Sequence, residues 1–192
     1  LAITPGPGIA YVVARTVSGG RKEGLASCIG TGLGGLVHVI ASALGVSLII
    51  AQSAFAFSLV KSIGAAYLFY LGLRMLFSKS NAPLIEEVSP QGTRRAFIEG
   101  IAVEALNVKT ALFFLAFLPQ FTTPNEPLIF QLIVLGSICV ALNTFVDVLA
   151  VLGAHRLLKV SAKRAQRERV MIKTSGITML GLGTYLALAE RN

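Results

Sequence analysis

The sequence predicts an all-α, polytopic membrane protein, and three observations carry that prediction. The 192 residues are 54% hydrophobic and only 14% charged, against about 25% charged residues in an average soluble domain. Residues 24–60 contain no Asp, Glu, Lys or Arg, a run well beyond the ~20 apolar residues that cross a ~30 Å hydrocarbon core. Fourteen of the 17 Lys and Arg fall into three clusters between apolar stretches. Basic residues gathered in this way act as topology signals, so the net charge of +8 does not point to nucleic acid. The chain reads as one transmembrane domain over residues 1–192, with six helices at about 1–16, 24–52, 55–77, 96–121, 128–153 and 175–189 and polar linkers at 78–95 and 154–174.

The first span carries Thr4-Pro-Gly-Pro-Gly8. Two prolines remove two N–H donors and obstruct carbonyls one turn back, so a helix must break or kink there. In lipid such a break is tolerated only against protein or a water-filled cavity; the alternative is a loop leading into a helix that starts near Ile9. The apolar run before Arg15 is shorter than a full span, so a first helix truncated at its N-terminus is expected. No basic region precedes it, so it does not read as a cleavable signal peptide.

Arg15, Arg21 and Lys22 predict a short basic turn before the second span. In that span Ala26, Gly30, Gly34, His38 and Ser42 recur every four residues and share one stripe. Small residues at this spacing let another helix approach closely, whether within one chain or across a homodimer. His38 on the same stripe suits an interhelical hydrogen bond or, alternatively, a proton- or substrate-handling role. The third span contains Gly64-Ala-Ala-Tyr-Leu-Phe-Tyr-Leu-Gly72, and Lys61 near its start snorkels to the interface. The fourth span ends at Pro119 and the Thr122-Thr-Pro-Asn-Glu-Pro127 turn. The fifth holds Asn143 and Asp147. The basic linker from Arg156 to Lys173 reads as a solvated cytoplasmic loop, with an interfacial helix over part of it as the alternative, before a short, glycine-rich sixth span.

Topology follows from the basic residues. The linkers between spans one and two, three and four, and five and six carry three, four and seven of them, and the other two turns carry none. The alternation puts the basic linkers in the cytoplasm, with both termini outside. Three spans per half insert in opposite senses, which makes an inverted 3+3 repeat the expected architecture. Gly64, Leu68 and Gly72 find a faint echo in Gly176, Leu180 and Gly183, and spans one and four both open with a helix-interrupting segment.

Span four poses the chemical question. Glu104, Asn107 and Lys109 fall within six residues of an otherwise apolar stretch, and a charged side chain at the bilayer centre costs roughly 2.5–3.5 kcal/mol on insertion scales. From the cytoplasmic end they lie about 12–20 Å deep at 1.5 Å per residue. That depth favours one wall of a midplane site over a surface position.

Four segments together resemble the LysE/RhtB family of amino-acid exporters: Thr4-Pro-Gly-Pro-Gly8 with Gly19-Gly-Arg-Lys-Glu-Gly24; Gly64 to Gly72; Asn107-Val-Lys-Thr-Ala-Leu-Phe-Phe-Leu with Leu118-Pro-Gln-Phe121; and Asp147. Two departures stand out. Val108 replaces the proline of the family's Asn-Pro-Lys, which predicts a softer break in helix four, and Glu104 replaces the family's usual Asn. The resemblance implies a non-enzymatic translocator that exports an amino acid or a small derivative in exchange for protons. It has no catalytic residues, no cofactor and no resident metal, and its partners are the substrate, protons and the bilayer.

The residues give that implication physical content. A zwitterion needs a cationic or N–H-rich surface for its carboxylate and an acceptor for its ammonium. Lys109, Asn107 and the helix end at Pro5, Gly6, Pro7 and Gly8 suit the first task, because helix N-termini favour anions. Asp147, the only aspartate, suits the second, and is the expected site of proton coupling, with Glu104 and then His38 as alternatives. Two rival functions remain at this level: a thiol–disulfide electron carrier using Cys28 and Cys139, and a metal-cation transporter using His38, Glu104 and Asp147. The cysteines lack neighbouring charges that would activate a thiol, and the three metal-ligand types are few and scattered.

Overall fold

The structure is a computed structural model that describes residues 6–77, 89–123, 125–158 and 164–188. The described residues form helices and connections, with no strand among them. Helix α1 (Pro7–Gln52) starts after an extended Gly6 with proline in its first turn, where a missing N–H is tolerated. It is not a single rod. Gly20 has φ 76° and ψ −174°, a left-handed backbone that glycine enters without steric penalty.

Three contacts show that the chain folds back at Gly20. Thr16 packs against Gly24. Val12 and Cys28 share an apolar cluster with Val151. Gly8 and Gly34 both lie against the Glu104 side chain, although in a continuous helix they would stand about 39 Å apart. Each pair is centred near residue 20, so α1 is two antiparallel arms, 7–19 and 21–52. The short arm is only about 20 Å long. Its N-terminal end lies beside the site.

The expected basic turn between residues 16 and 24 thus tightens to one glycine, and Arg15 is drawn into the short arm. There it is 3% exposed, not a solvated topology charge. Its guanidinium pairs with Glu99, which also holds Arg95 at 2.7 Å, and donates to Gln91 Oε1 at 2.7 Å, the Ser89 carbonyl at 3.2 Å and the Tyr11 hydroxyl at 3.1 Å. Glu23 on the long arm accepts from the Gln91 and Gly92 N–H groups at 3.1 and 2.7 Å. Together these bonds tie the α1 hairpin to the start of α3. Arg15→Met is expected to cost about 1–3 kcal/mol, the range for leaving charged hydrogen-bond partners unmet. A lowered melting temperature in detergent would show it; an unchanged one would mean the cluster is not structural.

After α2 (Ala54–Phe77) the chain enters α3 (Thr93–Ala105), α4 (Val108–Leu112), a π-helical turn (Phe113–Phe117) and a 3-10 turn (Leu118–Phe121). The sequence predicts a helix over 96–121 with a break softened by the loss of proline. The break falls at Leu106–Asn107, and it is sharp: the two parts bend by 45°. Asparagine supplies what proline does not: Asn107 is extended, and its side-chain oxygen accepts the Lys109 N–H at 3.2 Å as an N-cap. Further along, the Leu118 N–H reaches back five residues to Phe113. The matching donor for the Phe114 carbonyl would be Pro119, which has no N–H, and the Ser42 hydroxyl donates to it at 3.0 Å instead.

The small-residue stripe serves packing within the chain. A Cβ on Gly30 would collide with the Phe97 carbonyl, and one on Gly100 would lie 2.9 Å from the Ser27 carbonyl, so α3 and the long arm of α1 meet backbone to backbone. The two echoing glycine motifs also pack on each other. A Cβ on Gly72 would come within 2.9 Å of the Gly176 carbonyl, and one on Gly183 within 3.1 Å of the Ala65 carbonyl, which seats α2 on α6. Phe113, Phe114 and Phe117 from the π turn join Leu68, Leu132, Met179 and Leu186 in the main core.

Helices α5 (Leu128–Leu158) and α6 (Arg164–Leu188) complete the chain. The linker expected at 154–174 is helical at 154–158 and again from Arg164. The run from Arg164 to Lys173 is rich in Arg, Ala, Gln, Glu, Met and Lys, all good helix formers. Three helical segments are long and apolar enough to cross a membrane, Pro7–Ile49, Phe55–Phe77 and Leu128–Gly153, and the bent pair at 106–107 makes a fourth if taken as one span. The protein is an all-helical integral membrane protein.

Candidate functional site

The break at Leu106–Asn107 has a chemical consequence. It frees carbonyls at the end of α3 and N–H groups at the start of α4, and it turns the side chains of both ends towards the α1 hairpin and α5. Between these elements lies a cavity with about 520 Å³ of empty space, open solvent included. Gly6 and Gly8 reach it from the start of α1, Thr31 from the long arm, Glu104, Asn107, Lys109 and Thr110 from the break, and Asn143, Thr144 and Asp147 from α5.

Six of the residues singled out in the sequence meet here: Gly6, Gly8, Glu104, Asn107, Lys109 and Asp147. Pro7 is exposed and is not on the wall, and Pro5 lies outside the described residues. His38 stands behind the break, with Nε2 2.7 Å from the Glu104 carbonyl oxygen. A carbonyl only accepts, so that nitrogen carries the hydrogen. His38 therefore makes the interhelical bond that its stripe suggested, to a carbonyl that also takes the Asn107 N–H at 3.0 Å. His38 is not itself on the cavity wall, but it touches the wall through Glu104.

The charged groups are buried: Glu104 is 6% exposed and Asp147 8%. Glu104 accepts from the Thr110 hydroxyl at 2.7 Å and the Asn107 amide at 3.2 Å, and the Lys109 ammonium acts on it electrostatically. A Cβ on Gly8 would stand 2.5 Å from its Oε2, so a larger residue there would displace this carboxylate. Asp147 is held differently. The Thr31 hydroxyl donates to its Oδ2 at 3.2 Å, while also lying 3.0 Å from the Cys28 carbonyl.

Thr31 and Thr110 are site residues that the sequence did not reveal. Hydroxyls inside apolar helices usually bond a carbonyl three or four residues back, and Thr31 does so too, which hides its second partner. The spacing of Glu104, Asn107 and Thr110, three residues apart, was the available signal for the brace across the break. Asn143 stands one turn before Asp147 and shares its face.

The arrangement is suited to holding a small charged solute. Among the described residues, His, Cys, Asp and Glu nowhere gather in a group of three or more that would hold a metal ion. Cys28 and Cys139 are free thiols packed in different apolar clusters, which gives the thiol–disulfide function no paired site.

Known proteins share this chain from end to end. The family model for LysE type translocators matches residues 1–190. A Bacillus subtilis (strain 168) protein described as uncharacterized membrane protein YrhP is 31% identical over 202 residues, covering 98% of this chain and 94% of its own. The homoserine/homoserine lactone efflux protein of Salmonella typhimurium is 28% identical over 195 residues, covering 99% and 92%. A Vibrio cholerae membrane protein is 28% identical over 194 residues, covering 98% and 92%. No solved structure matches. With a broken helix at a charged cavity and a family match over nearly every residue, the chain belongs to the LysE type translocators.

Proposed function

We propose that the protein is a secondary transporter that exports an amino acid or small amino-acid derivative from the cytoplasm by proton antiport. The observation that carries this reading is the meeting of Lys109 and Asp147, from two different elements, in one buried cavity of a membrane-spanning chain. The efflux function named for the Salmonella relative supports the direction and the substrate class. In this reading Asp147 binds the substrate ammonium when ionised. A proton arriving from outside neutralises it, and the substrate leaves outward; release of the proton to the cytoplasm restores the acceptor.

The architecture we propose with it is a six-span, 3+3 inverted repeat in a bacterial inner membrane with the basic linkers cytoplasmic. The start of α1 at Gly6–Gly8 and the break at Leu106–Asn107 reach the same cavity, and helix ends of this kind are where inverted-repeat transporters place their substrate. The alternating basic linkers agree with the orientation.

Cells fed dipeptides provide the test, because peptide hydrolysis loads the cytoplasm with one amino acid at a time. Cells making the protein should show a lower internal level and a higher external level of the exported compound than cells without it. Identical internal and external profiles across a panel of amino acids and their derivatives would overturn the export reading.

A further inference from the structure

The cavity carries one carboxylate more than a zwitterion requires. A free amino acid brings one ammonium and one carboxylate, so a balanced seat needs one anion and one cation. The described wall holds two carboxylates, Glu104 and Asp147, and one ammonium, Lys109, a formal charge of −1. The two carboxylates also differ in their surroundings. Glu104 takes up the donors a substrate carboxylate would need: the Thr110 hydroxyl at 2.7 Å, the Asn107 amide at 3.2 Å and the charge of Lys109. It also lies against Gly8, where a Cβ would stand 2.5 Å from Oε2, so its charge already faces the start of α1. The hydrogen bond to Asp147 among the described residues comes from Thr31 and meets only Oδ2.

We propose that Glu104 fills the anion seat of this cavity as a resident carboxylate, so that the protein selects cationic amino-acid derivatives with a masked carboxyl group, such as a lactone, ester or amide. This rests on the export reading above. A masked derivative brings a single positive charge, pairs with Asp147 and takes the cavity to neutrality. A free amino acid would set a second carboxylate beside Glu104, and like charges juxtaposed at a poorly hydrated site are strongly disfavoured. Glu104 has little freedom to withdraw: it sits in the last turn of α3, and leaving its partners would strand a buried charge. Specificity would then come from a repulsive element built into the wall as much as from attraction at Asp147.

Homoserine and its lactone share a carbon skeleton and differ in the free carboxylate, which makes them the probe pair. Transport of each into wild-type proteoliposomes, corrected for protein-free vesicles, should give a kcat/KM ratio favouring the lactone by about tenfold or more. Glu104→Gln keeps an acceptor for Thr110 and removes the charge, and should shift that ratio towards homoserine by about tenfold. A wild-type ratio near one, or one favouring homoserine, overturns the inference and leaves the export reading standing. So does a correctly inserted Glu104→Gln protein with the wild-type ratio. A wild-type protein that moves neither probe, nor any amino acid or amide in a wider panel, overturns the export reading itself. The wild-type ratio decides the matter even if the variant fails to insert.

Discussion

Asp147→Asn abolishes proton-coupled export in the present account, with an expected loss of roughly 10²–10³-fold in transport rate. Removing one partner of a buried, hydrogen-bonded charge pair typically costs about 2–5 kcal/mol, and each 1.4 kcal/mol is about a factor of ten. Asparagine keeps the volume and can still accept from Thr31, 3.2 Å from Oδ2 in the native side chain, so the local packing of the long arm of α1 against α5 is retained. What disappears is the negative charge that binds ammonium and the only aspartate that can exchange a proton for it. Transport should therefore lose both its rate and its response to an imposed pH gradient, with little change in melting temperature. If Asp147 served only as a static brace between helices, the variant would melt earlier and the surviving transport would keep its pH dependence.

The second large effect is expected at Gly34. A Cβ there would lie 2.6 Å from the Ile101 carbonyl oxygen, 2.9 Å from the Glu104 Cβ and 3.0 Å from the Ala105 nitrogen. Two of these three are backbone atoms in the last turn of α3. They cannot give way without moving Glu104 and the break at Asn107. Gly34→Ala should thus destabilise the protein by about 1–3 kcal/mol, the usual cost of overpacking, and lower export further by displacing the cavity wall. Gly45 lies in the same helix, and nothing stands within 4 Å of a Cβ built there, so Gly45→Ala is the matched control and should be close to neutral. Melting temperature in detergent, read together with export, checks both. Equal effects at the two glycines would contradict the close approach.

The membrane class and the main helices were legible because lipid imposes a one-dimensional rule: long runs of apolar residues, with basic residues confined between them. The same rule exposed Glu104, Lys109 and Asp147, since an ionisable group in such a run has few structural uses. Details that depend on contact between distant segments were not legible. Arg15 looks like a topology charge until Glu99 and Gln91, more than 70 residues away, are seen around it. Gly20 lies inside the turn expected between residues 16 and 24, but with Gly19 beside it the sequence does not say which residue reverses the chain. The substitution of Val108 for proline suggested a weaker break, yet the N-cap at Asn107 makes a sharp one by a different route. The helix from Arg164 was only the alternative because its charge suggested a solvated loop, although its residue types favour helix. Glu104 itself was visible as an anomaly, but its role as a partner of Thr110 and a neighbour of Gly8 needed three dimensions.

Efflux from proteoliposomes tests the central claim most directly. Vesicles containing the purified protein would be loaded with homoserine or its lactone, and the external medium then acidified. Substrate efflux should accelerate and the lumen should acidify with it, and both signals should be lost in Asp147→Asn. Substrate efflux that proceeds at the same rate without a pH gradient, and with no proton entering the lumen, would contradict the claim.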